Sequence, residues 1–204
     1  MAAAEKLSYQ RLPGWVLGFH GTDSATAHKI LSSESAHLKP SNNGWDWLGE
    51  GIYFWENDPV RARSFARERF TWRGEKNKKV EVVGAIIDLV LCLNLFDQPA
   101  LRELKVAHDS LAGDFKIMGR DLPVNKGKSA DLVERYLDQA VIAHLHALRS
   151  RLPDEFVPYQ TVRAGFLEGE ELYPNTAFKS KNHIQIAVRD NSCIKGYFVP
   201  RNQS

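Results

Sequence analysis

The sequence predicts an α+β domain, and three observations predict it. Short apolar runs with strand character open the chain. Two helical stretches fill its middle. Strand-like runs then return towards its end. Strands, a helical block, then strands is not the alternating pattern that builds a parallel βαβ array. A chain of 204 residues, 43% hydrophobic and 25% charged, suits one soluble domain with a sizeable core.

The elements follow in order. Trp15 to His20 reads as a buried strand. Asp23 or Ser24 can cap a short helix carrying Ala27, Ile30 and Leu31 on its apolar face. His37 to Leu48, rich in Pro, Ser, Asn and Gly, is a loop. It carries Trp45 and Trp47, and tryptophans in a polar loop usually cover something. Ile52 to Trp55 is a short strand. Asp58-Pro59 marks an N-cap with proline in the first turn of a helix along Val60, Ala62, Phe65, Ala66 and Phe70. Val80 to Phe96, β-branched and apolar, predicts one central strand. Helices follow over Pro99 to Leu111, with Leu101, Leu104, Ala107 and Leu111 inward, and over Ala130 to Arg149. In the second, Leu132, Val133, Tyr136, Leu137, Val141, Leu145 and Leu148 face inward. Gly119 to Ser129 between them is a basic loop. Strands resume at Gln160 to Phe166, His183 to Val188 and Ile194 to Val199.

Composition excludes several classes. A net charge of +2 does not by itself demand a polyanionic partner. Cys92 and Cys193, far apart and outside any CxxC, argue against a disulfide framework or a zinc site. His144 and His146 lie two apart on a helix, point in different directions, and make a poor metal pair. Met1 to Gln10 lacks the apolar core of a signal peptide. Val82 to Phe96, interrupted by Asp88 and Asn94, is too short for the ~20 residues of a membrane helix. The expectation is a cytoplasmic protein with no metal and no membrane partner. A Walker-type phosphate loop and the Ser/His or Cys/His arrangements of covalent catalysis are not evident.

The most informative residues are His20-Gly21-Thr22 after the first strand and Gly49-Glu50-Gly51-Ile52-Tyr53-Phe54 downstream. They pair a hydrogen-bonding imidazole with a flat aromatic ring. A nucleotide that carries a pyridine ring needs both. Either segment alone would read as ordinary core; the two in this order carry the signal.

In this order the chain resembles the ADP-ribosyltransferase superfamily, on the branch of diphtheria-type toxins and poly(ADP-ribose) polymerases. The resemblance covers Phe19 to Ala66, including Ala62 after the tyrosine strand, and Lys181 to Phe198. It implies two small antiparallel sheets flanking an NAD cleft, with a helical insertion over about 98–158. By resemblance, His20 holds ribose hydroxyls, the Gly21 main chain pairs with the nicotinamide amide, and Tyr53 stacks on the ring. Phe65 forms the opposite wall, and Trp45 and Trp47 belong to a loop closing over the donor. Thr22 and Gly51 complete the motifs that line the cleft. The late strand usually opens with glutamate; here Gln185 stands in its place.

The substitution matters because bond cleavage between nicotinamide and ribose develops positive charge on the sugar. Glutamine can accept a ribose hydrogen bond but cannot oppose that charge. A unit charge at ~4 Å is worth ~4 kcal/mol at an effective dielectric near 20, roughly a thousandfold in rate. Glu168, in the acidic cluster before the Gln185 strand, is the candidate substitute; Glu170 and Glu171 read as solvated. Loss of the glutamate also favours transfer of a single unit over chain elongation. The resemblance therefore implies a mono-ADP-ribosyltransferase using NAD as co-substrate, acting on a macromolecule. Nucleic acid, RNA or DNA, is slightly favoured over protein. Its size suits a compact toxin or defence effector, for which an inhibitory antitoxin is a candidate partner. An NAD glycohydrolase and a catalytically weak NAD- or ADP-ribose-binding module stay open.

His183 shares a strand face with Gln185 and is expected at the rim. Arg61, Arg63, Arg67, Arg69 and Arg73, with Lys76, Lys78 and Lys79, form a basic run. It reads as a solvated helix face or as a phosphate contact, and Asn125-Lys126-Gly127-Lys128 could extend it.

Overall fold

The computed structural model describes residues 14–127, 131–152 and 155–201. The N-terminal run Met1 to Gln10, Lys128 and Ser129 of the basic loop, and Ala130 at the expected helix start lie outside the described residues.

The elements in chain order are β1 (Trp15–Asp23), α1 (Ser24–Leu31), β2 (Ile52–Glu56), α2 (Pro59–Trp72), β3 (Val80–Asp88), β4 (Cys92–Asn94), α3 (Gln98–Ile117), α4 (Tyr136–Arg151), β5 (Thr161–Phe166), β6 (His183–Val188) and β7 (Ile194–Phe198). The fold class is α+β. The strands form one seven-stranded sheet ordered β4-β5-β6-β2-β1-β3-β7. Only β4 and β5 pair in parallel; every other neighbouring pair is antiparallel.

The two separate sheets expected from the sequence are therefore a single mixed one. Its two halves are joined weakly. β1 and β2 share only the register pairs Gly18↔Glu56 and Phe19↔Trp55, whereas β1 and β3 pair along their full length. Past Phe19 the sheet forks.

The helix starts obey local chemistry. Asp23 caps α1 by accepting from the Thr26 amide at 2.9 Å. Asp58 caps α2 by accepting from the Arg61 amide at 2.7 Å, with Pro59 in the first turn.

The core lies on both faces of the sheet. On one face α1 covers a cluster with Phe54, Ile52, Val83, Ile87 and Ile186. On the other, α2 covers the β1–β3 half through Ala62, packed with Phe19, Trp55 and Val82. There α3 and α4 cover the β5–β6 half through Leu111, Ile142 and Leu145. β2 runs beneath the seam between those two helical layers.

Three expectations are corrected. Val80 to Phe96 is not one strand. It breaks after Asp88, where Val90 takes a left-handed φ of 48°, and β4 then joins the opposite edge of the sheet. The first mid-chain helix runs to Ile117 because Gly113 does not stop it. Within it Leu101 is exposed, while Ala100, Ala107 and Leu111 are buried. The second helix starts only at Tyr136. Leu132, expected inside it, has a φ of 46°, and both Leu132 and Val133 are exposed. Ile142 and His146 are buried there instead.

Candidate functional site

The fork between β1 and β2 is held open by a side chain. The Asn57 amide donates to the Leu17 carbonyl at 2.9 Å, so Leu17 turns its main-chain groups towards β2. These groups alternate sides along an antiparallel strand, so Phe19 and Gly21 face β2 as well. Continued in register, the Gly21 amide would donate to the Tyr53 carbonyl. The His20 ring takes that place instead: its Nδ1 lies 2.7 Å from the Tyr53 carbonyl oxygen. The pairing stops at Phe19, and the N–H and C=O of Gly21 point into the fork without a strand partner.

A carbonyl only accepts, so Nδ1 of His20 carries the hydrogen and Nε2 is the bare acceptor. Burial pulls this imidazole down to about 4, the Tyr53 carbonyl opposing and the Arg69 charge adding to the fall. His20 is neutral at physiological pH. Gly21 is required by packing, since a Cβ there would lie 2.2 Å from the Ala62 carbonyl oxygen of α2. Thr22 is buried.

Tyr53 reaches the fork by its main chain, not its ring. Its hydroxyl donates to the Gly49 carbonyl at 2.7 Å and accepts from the Leu48 amide at 2.8 Å. Burial pushes its phenol above the usual range. Strand alternation sends the Tyr53 ring to the α4 face and the His20 ring to the Phe54 face. His20 meets Phe54 edge-on at 6.0 Å between ring centroids, and Tyr53 packs with Leu48 and Ala187. The two rings leave the sheet on opposite sides, and the fork brings imidazole and tyrosine backbone together.

On the α2/α4 face, β2 and β6 align Trp55 with Gln185. Gln185 is 7% exposed, and its amide makes no hydrogen bond among the described residues. Phe65 packs against Trp55 at 4.8 Å. Trp47 lies 4.5 Å from Phe166 and is roughly parallel to His183 at 6.2 Å. Its indole Nε1 donates to the Val133 carbonyl at 2.7 Å, and the Arg135 guanidinium lies 4.6 Å over its ring. Trp45, more exposed, rests edge-on against Tyr136. Gly51 approaches β6 closely; a Cβ there would lie 2.9 Å from the Val188 carbonyl oxygen.

His183, expected at the rim, is enclosed. Its Nδ1 lies 2.6 Å from the Lys181 carbonyl, which fixes the hydrogen on that nitrogen. Its Nε2 is buried without a hydrogen-bond partner among the described residues. Burial is the largest influence lowering its pKa, so the free nitrogen is an unpaired acceptor. Glu168 stands beside it, 3.8 Å from Nδ1, and accepts from Arg61 Nη2 at 2.9 Å. Both partners of that ion pair are largely buried, at 6% and 13% side-chain exposure. Arg61, first in the basic run, is thus not part of a solvated face.

The chain is similar to an uncharacterized protein of Methanocaldococcus jannaschii. The two are 28% identical over 204 residues, covering 87% of this chain and 83% of that relative. No family model matches the chain, and no solved structure matches it.

Two concave regions lie apart from the fork. One, of about 300 Å³, is lined by Gly49, Glu50, Gln139, His146 and Arg189. The other, of about 520 Å³, is formed by α2 and the turn into β3. Among the described residues no group of His, Cys, Asp and Glu could hold a metal ion. No helix among them is long and apolar enough to cross a membrane. Sequence reasoning placed Arg61 in a basic run and missed its pairing with Glu168, which comes from a loop distant in sequence. It missed Arg135, which bonds Asp131 and Asp138 nearby but lies over Trp47, far away in the chain.

Proposed function

We propose that the β1–β2 fork binds NAD in an ADP-ribosyltransferase-type fold, and that the chain transfers a single ADP-ribose to a macromolecular acceptor. One observation carries this: His20 replaces the Gly21 amide in the ladder and so frees an adjacent N–H and C=O. A primary carboxamide such as that of nicotinamide offers the complementary acceptor and donor. The bare Nε2 of neutral His20 accepts from a hydroxyl, as a ribose requires. Gln185 carries an amide with no partner to surrender among the described residues and can accept a ribose hydroxyl at no cost in hydrogen bonds to them. Phe65, packed on Trp55 at 4.8 Å, supplies an aromatic surface near the seam; the Tyr53 ring, tied to Leu48 and Gly49, offers none to the fork.

NAD contributes the glycosidic bond that breaks; the chain contributes orientation and charge. Here the charge is muted. Glutamine is neutral, and the Glu168 carboxylate is matched by Arg61. This observation favours a second reading, in which the fork holds NAD and turns it over slowly or not at all.

Calorimetry with NAD and an assay of nicotinamide release separate the two. The transferase reading expects NAD binding, nicotinamide release, and label from NAD retained on a macromolecule in a lysate. His20→Ala is expected to abolish release. Gln185→Ala is expected to slow it about 2- to 10-fold, the worth of one hydrogen bond. Binding without release selects the second reading, and release of free ADP-ribose with no labelled macromolecule selects hydrolysis. No heat of NAD binding would end all of them.

A further inference from the structure

The cavity of about 300 Å³ is at the small end of ligand-sized sites and lies along one face of α4. Gln139, His146 and Ser150 line it, seven and then four residues apart and therefore on one stripe of the helix. Glu50, just before β2, and Arg189, just after β6, line it as well.

Three polar groups in this wall lack partners. Arg189 donates from Nη1 to the Tyr159 carbonyl at 3.2 Å. Its Nε and Nη2 make no hydrogen bond among the described residues, and neither is sealed in the core. Burial, the larger influence, lowers its pKa, and the nearby Glu50 charge opposes that fall. Yet Glu50 and Arg189 stand too far apart for an ion pair, and neither pairs elsewhere among the described residues. His146, 5% exposed, ties Nδ1 to the Ile142 carbonyl at 2.8 Å. That nitrogen carries the hydrogen, and Nε2 is a buried acceptor without a partner among the described residues. Such a group costs the fold until something donates to it.

The charges select the occupant. His146 is neutral, so one cation and one carboxylate face the cavity among the described residues. A simple anion suits Arg189 and is repelled by Glu50; a simple amine is held by Glu50 and repelled by Arg189. A molecule with both charges on one carbon satisfies both. Its carboxylate accepts two bonds from the guanidinium, and its ammonium donates to Glu50 and to Nε2. Ala143 and Ala147 of α4 leave a small apolar shelf beside them.

We infer that this cavity binds a free α-amino acid with an apolar side chain, its carboxylate on Arg189 and its ammonium between Glu50 and His146. The site is independent of the fork and needs no NAD.

The test is calorimetry of the 204-residue chain with L-leucine, beside two analogues that each lack one charge. These are 4-methylpentanoate, without the amine, and isopentylamine, without the carboxylate. Leucine should bind, and each analogue should bind about 10- to 100-fold more weakly, the worth of a charged hydrogen bond. Glu50→Gln, at an exposed position, should cost about 2- to 5-fold. Arg189→Lys keeps the charge, loses the planar fork and should cost about tenfold. In NMR spectra of the histidine ring nitrogens, assigned with His146→Gln, leucine should move the His146 Nε2 resonance. Any one of four results overturns the assignment: no heat with leucine; an analogue that binds as tightly as leucine, marking a site for an anion or an amine alone; unchanged affinity in Arg189→Lys; an Nε2 resonance that leucine leaves in place. Because NAD is absent throughout, failure here leaves the reading of the fork intact, and failure of NAD binding leaves this one intact.

Discussion

Arg61 and Glu168 form the ion pair that ties α2 to the loop after β5. Both are largely buried, and Glu68 adds a weaker contact to Arg61 at 3.6 Å. Removing one partner of a buried pair leaves a charge in a poor solvent, which costs about 3–5 kcal/mol. Arg61→Met should lower unfolding stability by about that amount in urea titration. Arg61→Met/Glu168→Gln should recover part of it, since the stranded charge is gone. Full additivity of the two single changes would mean that the pair is not coupled. Glu168 was legible in the sequence as the first acid of a cluster preceding a strand. Its partner was not. Arg61, Arg63, Arg67 and Arg69 look alike along one helix, and only the return of the 167–182 loop singles out the first. His183 shows the same limit. Alternation placed it on the Gln185 face, but its enclosure depends on Trp47, which arrives from a loop without periodicity.

The contact between α2 and β1 decides the geometry of the fork, and Gly21 makes it possible. A Cβ at that position would also lie 2.7 Å from the Ala66 Cβ. Gly21→Ala must push α2 off the sheet or twist β1, and overpacking of this kind costs about 1–3 kcal/mol. The thermal midpoint should fall, and His20 should lose its short contact with the Tyr53 carbonyl. A histidine Nδ1–H shift unchanged in NMR spectra would contradict that coupling. The starts of α1 and α2 were legible because caps are local chemistry: Asp23 and Asp58 each bond an amide three residues on; the start of α4 was not, its N-cap Arg135 making no side-chain cap bond. Element ends were less so. The apolar run after Val80 continues past Asp88 without any composition break. What ends the strand is Val90 in the left-handed region, held where Thr161 donates to the Leu89 carbonyl at 2.6 Å. A hydroxyl some seventy residues away cannot be read from the run itself.

Across the whole molecule, buried neutral imidazoles set the response to acid. His20 and His146 are both held down to about 4, burial being the main cause in each. His183 is lowered as well. In the unfolded chain all three titrate near 6.5. Between about pH 6.5 and about pH 4 the unfolded state therefore binds more protons than the folded one. Stability rises with pH wherever that holds, so it falls as pH drops through this window. His20 and His146 each contribute a slope of about 1.4 kcal/mol per pH unit within it, and His183 adds in the same direction. Asp23, Asp131 and Asp190 have depressed pKa values, set by hydrogen bonds from Thr26, Gly169 and Gln160 respectively. Their contributions vanish only at lower pH, as they titrate below the ordinary carboxylate range. The two sets are thus separable by pH. Urea midpoints should begin to fall near pH 6.5, well before any carboxylate is protonated. His146 is remote from the fork, and its Nδ1 bonds only the Ile142 carbonyl, at 2.8 Å. His146→Gln should flatten the slope above pH 4.5 by one histidine's share while leaving the lower, carboxylate limb in place. A midpoint that stays level from pH 7 to pH 4.5 would mean that these rings are charged in the folded protein, and the neutral acceptor assigned to His20 would go with them.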